Sequence, residues 1–110
     1  MSETGAPQGR TAVLGERELA IGFRLVGMAD VTETTPAAAP QEFERLMADD
    51  SYSLVVASEM VRRSLSESQR ARAEGSLAPL VVFVPSPSGE YEVESLAMLA
   101  KRVLGISLEV

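Results

Sequence analysis

The sequence predicts an α/β protein: a four-stranded parallel sheet with helices on both faces and one further helix at the C-terminus. Three observations predict it. Four short aliphatic runs alternate with segments whose apolar residues recur at helical spacing. Gly, Pro, Asp and Ser punctuate the joins, where turn and cap chemistry wants them. With 45% hydrophobic residues, no Trp, three Phe and two Tyr among 110 residues, the core has to be aliphatic and sized for one domain.

The elements follow in order. Met1 to Arg10 mixes Ser, Glu, Gly, Pro and Gln without periodicity and reads as a disordered tail. Thr11-Ala12-Val13-Leu14-Gly15 suits a buried first strand. Glu16 and Glu18 then stand where a helix N-terminus favours negative charge. Leu19, Phe23 and Val26 give that helix one buried face, and Gly27 is the left-handed residue that stops it. Ala29 to Thr34 alternates weakly and makes a second, short strand. An Ala/Pro-rich connector, Thr35 to Pro40, leads into a helix carrying Phe43, Leu46 and Met47, which Asp49-Asp50-Ser51 closes by competing for backbone hydrogen bonds.

Tyr52 to Ala57 is the third strand, with Ser58 as N-cap of a helix that buries Met60, Val61 and Leu65. The end of this helix is blurred by the polar stretch Ser66 to Ser76. Leu80-Val81-Val82-Phe83-Val84 is the clearest strand of the chain, and its unbroken apolar run predicts cover on both faces. Pro85-Ser86-Pro87-Ser88-Gly89 breaks regular structure. The last helix spans about Glu94 to Leu104, with Leu96, Leu99, Ala100, Val103 and Leu104 on one side. Lys101 and Arg102 complement its dipole and Gly105 ends it. These elements divide the chain into a tail (1–10), a Rossmann-like α/β domain (11–85), and a hinge loop with the C-terminal helix (86–110). Right-handed crossovers give the flavodoxin- or receiver-like strand order 2-1-3-4.

Absences restrict the chemistry. There is no Cys and no His, so thiol nucleophiles, disulfides, thiolate zinc sites and the usual near-neutral base are excluded. A net charge of −6 opposes nucleic-acid binding and attraction to anionic lipid. No apolar run reaches the ~20 residues of a membrane-spanning helix, and Met1 to Gly9 lacks the order of a signal peptide. A cytoplasmic location is the default. The turn after the first strand, Gly15-Glu16-Arg17-Glu18, has no phosphate-binding glycine pattern, and two carboxylates crowd the helix end where a phosphate would sit. Ala57-Ser58-Glu59 lacks the Asp a receiver domain needs after its third strand. Glu90, Glu92 and Glu94 read as a solvated edge before they read as a cation site, and Arg62-Arg63 as an exposed face. No catalytic, cofactor or metal site is therefore assigned.

One feature asks for a partner. Ile21 and Leu25 lie ~200–240° around the first helix from Leu19, off its buried face, and Gly22 costs about 1 kcal/mol mid-helix unless a close approach requires it. Either the second stripe packs under the C-terminal helix or it faces another protein.

Four strings carry a resemblance. Gly22-Phe23-Arg24-Leu25-Val26-Gly27 follows the strand Ala12-Val13-Leu14-Gly15. Leu54-Val55-Val56-Ala57-Ser58-Glu59 and Leu80-Val81-Val82-Phe83-Val84-Pro85 are the third and fourth strands. Tyr91-Glu92 precedes Leu99-Ala100-Lys101-Arg102-Val103-Leu104-Gly105-Ile106-Ser107-Leu108. Together, over about residues 11 to 108, they resemble the F subunit of the V-type and archaeal-type rotary ATPases. The polar extension before residue 11 and the connector Thr35 to Pro40 depart from that pattern outside the matched strings. The resemblance implies a non-catalytic rotor component that packs on the D subunit in the central stalk. That stalk turns inside the hexamer of A and B subunits and meets the membrane sector indirectly, with no insertion of its own. It also implies a mobile, regulatory C-terminal helix, with Ile21, Gly22, Arg24, Leu25, Leu96, Leu99, Lys101, Arg102 and Val103 as interface candidates. A degenerate receiver-like binding domain in signalling is the alternative; a small phosphotransfer domain is disfavoured by the missing Cys and His.

Overall fold

The structure, a computed structural model, describes residues 9–86 and 93–104, and in the second stretch the side chains at 98 and 100–104. The elements are β1 (Arg10–Gly15), α1 (Arg17–Leu25), β2 (Val31–Glu33), α2 (Ala39–Met47), β3 (Tyr52–Ser58), α3 (Glu59–Ser64), α4 (Glu67–Gly75), β4 (Leu80–Val84) and α5 (Val93–Leu104). The strands form one parallel sheet in the order β2-β1-β3-β4, as the sequence predicts. In register, Val13 pairs with Val56, which pairs with Val82; Leu14 pairs with Ala57, which pairs with Phe83. Because side chains alternate along a strand, these two rows point to opposite faces and feed two separate cores. On one face Ala12, Leu14, Val55 and Ala57 meet Phe43 and Leu46 of α2, Val61 of α3 and Ala73 of α4. On the other, Val13, Val56 and Val84 meet Leu19 and Phe23 of α1 and Ala100 of α5.

The helix ends obey local chemistry. Gly27, at φ 97°, donates its N–H to the Arg24 carbonyl at 3.0 Å while Met28 N–H reaches the Phe23 carbonyl at 3.2 Å. This is a Schellman closure, and it needs a residue free to be left-handed. Ser58 Oγ accepts from Val61 N at 3.2 Å, and Ser86 Oγ accepts from Met60 N at 2.8 Å, so two hydroxyls satisfy the first turn of α3. Asp49 Oδ1 accepts from both the backbone N and the hydroxyl of Ser51, which closes the connection after α2.

Three sequence expectations are corrected. The stretch Ser66 to Ser76 is not a blurred helix end but a separate helix, α4, started by a capping box: Ser66 Oγ accepts from Gln69 N and Gln69 Oε1 accepts from Ser66 N. Its surface is almost wholly polar, with only Ala73 buried, so no apolar stripe announced it. Side chains tie it to α2 instead. Glu44 Oε2 accepts from Gln69 Nε2 at 2.8 Å and from Arg72 Nη2 at 2.6 Å, and Gln69 also donates to the Pro40 carbonyl at 3.2 Å. The second correction concerns β4, which is an edge strand. Val81 and Phe83 pack into the first core, but on the other face Leu80 and Val82 are 51% and 40% exposed. The second strand is also shorter than the Ala29–Thr34 run, pairing only from Val31 to Glu33.

Replacing Ser66 with Ala removes half of the capping box and should cost about 1 kcal/mol. Thermal unfolding should record this as a midpoint lowered by roughly 4–8 °C for a domain this small. The hydrogen bond from Gln69 first, and the Arg72 guanidinium after it, hold the Glu44 carboxyl below its ordinary value of 4.5. Its contribution is present above that value and lost as pH falls through the lowered one. Glu44→Gln should therefore lose a little stability at neutral pH and show a shallower acid limb in denaturation followed against pH. Because the carboxyl is largely exposed, the effect stays small.

Candidate interaction surface

In an open parallel sheet the place for a small ligand is the crevice at the carboxyl ends of the strands, where neighbouring connections run to opposite faces. Here that point lies between β1 and β3. A Cβ on Gly15 would come within 2.7 Å of Leu19 Cδ2 and 3.3 Å of Ser58 Cβ, so the end of β1 is closely packed against α1 and β3 and admits no side chain. The Ser58 hydroxyl is spent on the α3 cap, Ser58 itself being fully buried. Glu59 is engaged by Arg62 at 3.2 Å and Arg63 at 3.9 Å. Of the two arginines expected on an exposed face, Arg63 is exposed and Arg62 is half-buried, and both pair with Glu59. Glu16 turns one carboxylate oxygen inward with no hydrogen-bond partner among the described residues. A phosphate at this helix end would face that carboxylate at close range. No group of three or more potential metal ligands occurs among the described residues; Glu90 and Glu92 lie outside them, as does the side chain of Glu94.

The remaining chemistry is that of surfaces. On α1, Leu19 and Phe23 are fully buried and Gly22 is buried beside them, while Ile21 is half-buried and Leu25 is 56% exposed. The second stripe predicted for this helix is thus only partly consumed by the fold. Arg24, also exposed, donates from Nη2 to the Val31 carbonyl at 3.3 Å and so is held against the start of β2. α5 packs extensively on α1. Ala100 is fully buried there, and Val103 and Leu104 pack half-buried around the same core. Lys101 is half-buried, whereas Arg102 and Met98 are exposed. The side chains of Leu96 and Leu99 lie outside the described residues. Ile21, Arg24, Leu25, Lys101 and Arg102 therefore belong to one layer of the molecule, the pair α1–α5, and the sheet lies beneath it.

A second apolar surface is not evident from the sequence. Leu54, Leu80 and Val82 lie on the α1–α5 face of the sheet, because Leu54 pairs with Leu80 and the buried Val56 pairs with Val82. Leu77 joins them through its antiparallel bridge to Leu80 and is 83% exposed. The signal was present as an apolar run, LVVFV. Periodicity alone does not say which chain supplies the cover. No described helix is long and apolar enough to cross a membrane.

Comparison with known proteins gives a consistent answer. Residues 11–103 match the family described as ATP synthase (F/14-kDa) subunit. Similar proteins include the A-type ATP synthase F subunit of Thermoplasma volcanium, 34% identical over 87% of this chain and 91% of that one. The A-type ATP synthase F subunit of Methanothermobacter thermautotrophicus is 32% identical over 88% and 93%. The crystal structure of the V-type ATP synthase F subunit of Archaeoglobus fulgidus superposes with a TM-score of 0.64 at 24% identity, covering 71% of this chain and 99% of that one, which supports the fold.

Calorimetric titration of the protein with MgATP is expected to give no binding in the micromolar range, because the Glu16 carboxylate stands at the helix end where a phosphate would sit. A micromolar isotherm that tightens further in Glu16→Arg would contradict this reading of the strand ends.

Proposed function

The chain belongs to the family of ATP synthase (F/14-kDa) subunits, and on that premise we propose that it is the non-catalytic F subunit of an A/V-type rotary ATPase, placed in the central stalk. In this reading it binds the D subunit and turns with it inside the hexamer of A and B subunits. It helps to couple ATP synthesis or hydrolysis to ion transport while touching the membrane sector only indirectly. It would then sit on the cytoplasmic side, peripheral to the membrane, with no contact to nucleic acid. The observation that carries the reading is the outer side of the α1–α5 layer. There Leu25 stands 56% exposed on the same helix as the half-buried Ile21 and the exposed Glu18 and Arg24, and the neighbouring α5 carries the half-buried Lys101 and the exposed Arg102. An exposed apolar residue with a charged rim fits a docking surface, and the inward Glu16 carboxylate opposes a phosphate at the strand ends.

The C-terminal helix is the proposed regulatory element. Ala100, Val103 and Leu104 bind it to the core of Val13, Leu19, Phe23 and Val56. Burying such a stripe is worth several kcal/mol, roughly 1.5–3 for each large side chain, on this domain or on a stalk helix alike. Two surfaces competing for one stripe make a two-state element.

Co-expression with the D subunit of the same ATPase should yield a one-to-one complex that co-elutes at low salt. Leu25→Glu should leave the isolated fold intact, since the residue is exposed, and weaken that complex about tenfold or more, equivalent to about 1.4 kcal/mol. Wild-type protein that never co-elutes with its D partner would refute the stalk assignment.

A further inference from the structure

We propose that the Ser86 hydroxyl is a latch that couples the seating of α5 to the start of α3, so that α5 leaves the domain more readily when the Ser86–Met60 hydrogen bond is broken. The proposal rests on the reading of α5 as a two-state element and names the residue that sets its balance.

Ser86 lies just past the end of β4, on the way to α5. Its Oγ accepts from Met60 N at 2.8 Å, across 26 positions of sequence. The helix that receives this bond already has a local N-cap, since Ser58 Oγ accepts from Val61 N. Ser86 takes a second orphan donor of the same turn, and it arrives from the neighbouring strand, because Ser58 pairs with Val84 in register.

Val84, two residues before Ser86, gives the bond its reach. On the face turned toward α1 and α5, exposure along β4 falls from 51% at Leu80 and 40% at Val82 to 4% at Val84. Val84 is the one residue of β4 in the core of Val13, Leu19, Phe23 and Val56, and Ala100 of α5 is buried in that same core. Helix α3 lies on the opposite face, with Val61 in the other core. The tripeptide Val84-Pro85-Ser86 thus wraps the end of the sheet, held by apolar contact on the α5 side and by the cap on the α3 side. Pro85 stiffens it, because the ring fixes its own φ and confines Val84 to extended backbone.

A link held at both ends couples those ends. Ordering it costs conformational entropy once. Whichever attachment forms first meets that cost, and the other then forms more readily. With the Ser86 bond gone, the whole cost falls on the docking of α5.

Amide hydrogen exchange on the full chain reads this balance. In wild type, the amides of Lys101 to Leu104 should exchange faster than those of Val13 and Val56, the mark of α5 opening without global unfolding. Ser86→Ala should speed α5 exchange about fivefold relative to Val13 and Val56, the weight of one net hydrogen bond. Ser86→Thr keeps a hydroxyl and should restore a near wild-type ratio. Ser58→Ala is the matched control. It removes a cap from the same helix and leaves the link unchanged, so it should loosen Val61 without raising the ratio of α5 to central-strand exchange. An unchanged ratio in Ser86→Ala overturns the latch, as does an equal rise in Ser58→Ala. Wild-type α5 amides that exchange only at the rate of Val13 and Val56 overturn the two-state reading of α5 and the latch with it. Wild type alone reports that failure, so it is distinct from a failure of Ser86.

Discussion

The pairing of β1 with β3 is the constraint on which the other parts of this domain depend. These two strands occupy the middle of the sheet, and their side chains are buried on both faces, from Ala12 to Leu14 and from Val55 to Ala57. Each face then needs its own helical cover, because an aliphatic row left in water costs roughly 25 cal/mol per Å². Phe43 and Leu46 close one face, and Leu19 and Phe23 close the other. With so few aromatics, two of the three Phe residues sit fully buried, one in each core. The two cores meet only through the backbone of the sheet, so a register slip between β1 and β3 would expose both at once.

The two faces are held by different forces. On the α2–α4 face, the outermost helix is polar and is fastened by Glu44, which takes hydrogen bonds from Gln69 and Arg72 at the same oxygen. Those bonds are exposed and weak individually, and they position α4 more than they stabilise it. On the α1–α5 face the attachment is apolar: among the described side chains of α5, Ala100 is fully buried, and Val103 and Leu104 pack half-buried on the same core. The regulatory role proposed for α5 would require this apolar contact to be exchanged for another surface.

This asymmetry also explains why the chain reads as a component of something larger. At the strand ends, where doubly wound sheets normally hold a ligand, Gly15 is packed closely against Leu19 and Ser58, and the Ser58 hydroxyl is used in the α3 cap. The surfaces left with chemistry to offer are the outer side of α1 and the uncovered half of β3 and β4. Both lie on the same side of the sheet.

The strand order, the two-faced core and the caps at Gly27 and Ser58 are legible in the sequence, because each depends on local periodicity or on a single residue's conformational freedom. So are the absence of His and Cys chemistry and the strings that match the family. The candidate site is legible in part: the helical angle separating Leu25 from Leu19 marks an outer stripe from residue spacing alone. Two features come only from long-range packing. The start of α4 is encoded locally in its Ser66–Gln69 capping box, but its seating depends on a clasp from Glu44, 25 positions before Gln69. β4, whose unbroken Leu80-to-Val84 run predicts a strand covered on both sides, became an edge half open to solvent. The reason is that an apolar run records how much surface must be buried and not whose atoms bury it; that depends on where the remaining helices pack, and α5 packs beside α1.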